Sequence, residues 1–161
     1  MEIIKKRIIL AFFVLASGGV GVFTMHYFYA QAPAIRIDLA MLKEKENLVP
    51  LLVLGSGPAS LSAALYGSRM GVKTMILRGN QPGGQLTQTS YIENWPAIRK
   101  TRGAQVMSEF ENQVAHFGAD LLSDAASEVD LTVWPYKVVT EGGHTLYALS
   151  LMIGTGAQPR R

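Results

Sequence analysis

The chain has 161 residues, 48% of them hydrophobic and 17% charged, with no cysteine and a formal net charge of +3. One domain of ordinary size accounts for that length, and the composition excludes a disordered chain, a disulfide framework and dithiol chemistry carried by this chain. Residues 51–161 hold nine basic and eight acidic side chains, so the body is nearly neutral and offers no basic, aromatic-laced face to nucleic acid.

No charged residue lies between Arg7 and Arg36. The core of that stretch, residues 8–30, is long enough for a transmembrane helix, which needs about 20 apolar residues. Tyr27 and Tyr29 stand at its far end, where amphipathic rings favour the interface. Lys5, Lys6 and Arg7 stand at its start and favour an amino terminus on the inside. A single-pass membrane anchor is therefore expected. A cleaved signal segment competes, because Ala30-Gln31-Ala32 is an A-x-A pattern, although Pro33 follows it directly. Residues 31–49, with the alternating charges Lys43-Glu44-Lys45-Glu46, read as a solvated linker before a folded part at 50–161.

Leu51-Leu52-Val53-Leu54 predicts a buried strand. The turn Gly55-Ser56-Gly57-Pro58-Ala59-Ser60 follows, then a helical stretch from Leu61 closing at Gly71, then a second strand over Val72–Leu77. Strand, glycine turn, helix and strand make a βαβ unit with a dinucleotide-binding turn. Gly55 permits the sharp exit from the strand, and Gly57 leaves room for a pyrophosphate. Position 60 faces the helix–strand contact and needs a small residue, here Ser60. The acid that grips a ribose about 20 residues later is missing. Arg78 ends the second strand, either as a surface arginine or as a partner for a 2′-phosphate.

The 18 residues from Asn80 to Ala97 read as a functional loop, rich in Gln, Thr and Asn. A helix is expected within Gly103–Gly118, with Val106, Phe110, Val114 and Phe117 on one face. Val129–Ile153 reads as three strands: one near Tyr136–Thr140, a return over Thr145–Tyr147 and a buried run over Leu149–Ile153. Gly154-Thr155-Gly156-Ala157 then repeats the close backbone approach offered at Gly57.

LGSGPAS at 54–60, GGQLTQT at 83–89, ENWPA at 93–97 and GTGAQPR at 154–160, in this order, resemble the low-molecular-weight thioredoxin reductases of the pyridine nucleotide-disulphide oxidoreductase family. The resemblance covers about residues 50–161. It implies an α/β, Rossmann-like FAD/NAD(P)-binding βαβ domain, incomplete and preceded by the amino-terminal transmembrane helix. It places Gly55, Ser56, Gly57, Pro58 and Ala59 at the FAD pyrophosphate. Gly84, Gln85 and Leu86 would approach the flavin side, with Asn94 joining them, and Thr155, Gly156 and Ala157 would run along the cofactor. Ser60, Ala97 and Gly154 depart from the family's usual small residues at those positions. In the family an NADPH domain with a Cys-x-x-Cys pair comes next, and a thioredoxin-like protein is the substrate. Neither that domain nor its thiols occur in these 161 residues, so a weak, incomplete FAD site and no turnover by this chain alone are expected. No metal site is expected. The competing expectation is a membrane-tethered, non-catalytic dinucleotide-binding domain, or one subunit of a split flavoprotein completed by a second chain.

Overall fold

The structure is a computed structural model, and it describes residues 47–157. β1 (Leu48–Leu54) leads through the glycine turn into α1 (Pro58–Arg69) and β2 (Thr74–Leu77). A short 3₁₀ helix (Gly84–Gln88), α2 (Gly103–His116) and β3 (Asp120–Leu122) follow, then β4 (Ala126–Asp130), β5 (Tyr136–Thr140) and β6 (Thr145–Ile153). All six strands form one sheet in the order β3-β2-β1-β6-β5-β4. β1 pairs in parallel with both β2 and β6, and β2 with β3. β5 runs antiparallel to β6 and β4.

The apolar run of β1 is explained by burial on both faces. Val53 joins Leu61, Ala64, Ile76, Met107, Val114 and Ala119 beneath the two helices. Leu52 and Leu54 turn the other way and join Val49, Leu77, Val138, Leu146 and Ala148. Fully burying a Leu, Ile or Val side chain stabilises the fold by roughly 1.5–3 kcal/mol, so these two clusters hold the sheet rigid. Because β2 and β6 flank β1 in parallel, the carboxyl ends of all three strands lie side by side at one end of the sheet. Open α/β sheets take ligands in the crevice outside such strand ends.

Several elements differ from expectation in their bounds. α1 begins at Pro58, three residues before Leu61, because proline at the first helical position arrives with a helical φ and lacks only an N–H that has no helical partner there. The two expected runs at 145–147 and 149–153 are one strand, since β6 keeps a single register with β1 on both sides of Leu149. β3, only three residues long, and β4 were not anticipated. On α2, Met107 is buried while Phe117 is 39% exposed, so the packed face turns away from the helix end.

The expected transmembrane helix over residues 8–30 lies outside the described residues. Among the described residues, no helix is long and apolar enough to cross a membrane. The fold class is corrected to a Rossmann-like sheet in which no described helix spans a membrane, and the single-pass membrane location and membrane tether are not supported.

Candidate functional site

Three segments meet at the carboxyl end of β1: the turn 55–60, the 3₁₀ helix and its lead-in at 83–86, and the turn 154–157 after β6. Gly55 has φ +98°, and a Cβ there would stand 2.5 Å from the Gly154 carbonyl oxygen. The site therefore needs glycine twice over, for backbone conformation and for space. Gly57 caps the amino end of α1 with φ −73° and ψ 177°. No side chain caps that end, and no acid lies in its first turn. A Cβ on Gly57 would point into open space. Gly84 rides directly on this turn, since its own Cβ would stand 3.3 Å from the Gly57 Cα.

Three polar side chains tie the segments together. Ser56 is buried, donates its hydroxyl to the Arg78 carbonyl at 2.8 Å and accepts the Gly83 amide at 2.9 Å. It thereby joins the first turn to β2's end and to the loop. Ser60, also buried, donates to the Gly154 carbonyl at 3.1 Å. Gln85 donates its side-chain amide to the Ala157 carbonyl. Each bond joins residues at least 22 apart in the chain, so the site is a product of the tertiary fold.

The anticipated residues thus divide by role. Gly55, Gly57, Pro58, Ala59, Gly84, Thr155, Gly156 and Ala157 lie on the three segments that meet at the carboxyl end of β1 and bring only backbone and small side chains there. The Ser56 hydroxyl is fully engaged within the protein. The Gln85 amide is engaged with Ala157. Leu86 packs on the core beneath the helices, and its carbonyl abuts Gly103, where any Cβ would collide with it. Asn94 is exposed, in the loop closed by the Ile92–Thr101 bridge, and takes no part in these four bonds. Trp95 beside it stacks edge-on against Phe110 of α2, with ring centroids 6.1 Å apart.

Arg78, left open between surface and ligand, has a defined partner. Its Nε and Nη2 donate to the two carboxylate oxygens of Glu111 on α2, at 3.3 and 2.6 Å, and Nη1 donates to Ser123 at 3.1 Å. Sequence reading missed this pair and the Ser60 and Gln85 ties. Position 60 carried a signal only as a small residue, and nothing in the spacing of Arg78 and Glu111 joins them.

The crevice fits a dinucleotide pyrophosphate. A helix end with free N–H groups, no acid and no cap attracts an anion, and the missing Cβ at Gly57 leaves it room.

Residues 49–161 match the family model for pyridine nucleotide-disulphide oxidoreductases. A thioredoxin reductase of Rickettsia felis is 41% identical over 111 residues, which are 68% of this chain and 36% of that protein. One from Peptoclostridium acidaminophilum is 38% identical over 116 residues, 71% of this chain and 36% of its own length. The solved thioredoxin reductase from Giardia duodenalis superposes with a TM-score of 0.69 at 34% identity, covering 72% of this chain and 38% of that one. The chain spans little more than a third of the length of these relatives. By a match that runs through the described sheet and all three turns, this chain belongs to the pyridine nucleotide-disulphide oxidoreductase family, with thioredoxin reductases among its relatives.

Proposed function

We propose that residues 48–157 form an FAD-binding part of a thioredoxin-disulfide reductase-like flavoprotein, with the pyrophosphate seated on the Gly55–Ala59 turn. The observation that carries this reading is the uncapped, acid-free amino end of α1 at Gly57, against which Gly84 packs while Gly154 closes on the neighbouring Gly55 and Ser60. When bound, FAD supplies the two-electron chemistry that links a nicotinamide to a disulfide in this family. The chain's own residues bind and orient. The amides at the start of α1 take the phosphate charge, and the backbone of 84–86 and 155–157 lines the path toward the flavin. With no cysteine among its 161 residues, the chain contributes no thiol to the exchange. The NADPH-binding and thiol-bearing functions, and a thioredoxin-like substrate, belong to the whole family reaction. Asn94 is assigned to the flavin side only through the family pattern.

Gly57→Val tests the reading. Valine is compatible with φ −73° and ψ 177°, so the variant should keep its fold while its side chain occupies the phosphate space. Titration followed by flavin fluorescence should show weak binding by the wild-type chain and at least about a tenfold loss in the variant, the scale of 1.4 kcal/mol. Equal affinity in the two proteins would remove the turn as the phosphate cradle.

A further inference from the structure

We propose that Ser60 is a positioning residue that sets the spacing of the two glycine turns flanking the pyrophosphate, and that Gly154 is its matched partner. The proposal rests on the FAD reading above and assigns work to a residue that reading leaves out. Ser60 lies in the first turn of α1 with no exposed surface. Its hydroxyl donates to the Gly154 carbonyl at 3.1 Å, across 94 residues of chain. A second carbonyl, that of Leu54, stands 3.4 Å away. One hydroxyl has one proton, so the shorter contact is the bond that joins the turns.

Gly154 is held from its other sides as well. The Gly154 amide donates to the Leu54 carbonyl at 2.9 Å. Gly55 backs onto the Gly154 oxygen so closely that only glycine fits there. A Cβ at position 154 would collide with the Ser60 hydroxyl itself. Serine at 60 and glycine at 154 are thus two halves of one fit: the hydroxyl fills the volume that a side chain at 154 would claim. In return it holds the turn 154–157 against the turn 55–57. A buried hydroxyl in this place fixes a distance that an apolar contact would leave softer, because a hydrogen bond is sensitive to both length and angle.

The test compares wild type, Ser60→Ala, Gly154→Ala and the pair Ser60→Gly with Gly154→Ala. Each full chain is measured for FAD affinity, for thermal midpoint, and for amide hydrogen exchange at Gly55, Gly57 and Thr155 without FAD. Ser60→Ala should weaken FAD three- to tenfold, the scale of about one hydrogen bond, and speed exchange at those amides. Gly154→Ala should weaken FAD further. The pair should bind more tightly than Gly154→Ala alone and return to about the level of Ser60→Ala, since it relieves the collision without restoring the hydrogen bond. A Ser60 with only a structural role would lower the thermal midpoint and leave FAD affinity and turn exchange unchanged. That result, or a pair no better than Gly154→Ala alone, overturns the proposal. If Gly154→Ala does not fold, recovery of folding in the pair supports the match and its absence contradicts it. If wild type takes no FAD, the FAD reading fails by itself, and exchange at the turn amides still decides the role of Ser60.

Discussion

Arg78 follows β2 at the place where dinucleotide-binding folds sense the substituent on the ribose 2′ carbon. Its guanidinium is held there as a fork by both oxygens of Glu111. The pair is only partly exposed, with side-chain exposures of 26% and 17%. Held by a carboxylate, the cation is neutralised, and the acid would repel a 2′-phosphate brought beside it. On the proposed FAD reading, this pair would disfavour a 2′-phosphate and suit an adenosine with a free 2′-hydroxyl. Glu111→Gln should narrow the preference for ADP over 2′-phospho-ADP by about tenfold in competition titrations, with a stability cost of about 1 kcal/mol or less. An unchanged preference would remove Arg78 from ribose recognition. At this scale the sequence was legible where backbone conformation or space dictates the residue. Gly55 and Gly57 could be placed because only glycine satisfies such a turn. The ties made by Ser56, Ser60 and Gln85 could not be foreseen, because their hydrogen-bond partners lie between 22 and 94 residues away and leave no trace in local spacing.

The turn between β5 and β6 is secured from a different element. Asp124, just after β3, accepts the Ala125 amide at 2.8 Å and the Gly142 amide at 3.1 Å. Its carboxyl is held below the ordinary value of 3.8, chiefly by the Thr140 hydroxyl, with the two amides and the charge of His144 adding to the effect against a desolvation that opposes it. The folded-state pKa is depressed. The carboxylate's contribution is therefore complete above the unfolded value and is lost as pH falls through the folded one. Denaturant unfolding should show Asp124→Asn less stable than wild type at neutral pH. The gap should close below about pH 4. A gap independent of pH would show that the charge is irrelevant. Periodicity revealed the βαβ unit and α2, whose apolar positions recur at helical spacing. It missed β3, three residues long, and β4, and broke β6 in two, because nothing in 145–153 taken alone reveals that β1 holds one register on both sides of Leu149.

For the molecule as a whole, the architecture follows from one arrangement. A strand buried on both faces carries a glycine turn at its carboxyl end, and its two parallel neighbours bring Arg78 and Gly154 beside that turn. The match to the family runs through this same region and covers little more than a third of each relative's length. The central claim is the location of the cofactor, and it is tested most directly by mapping backbone amide resonances of the chain during FAD titration. The account predicts the largest shifts at Gly57, Ala59, Gly84, Thr155 and Gly156, with little change on the exposed surface of α2 or in the β4–β5 hairpin. Saturable shifts centred elsewhere, or none at the amino end of α1, would contradict it.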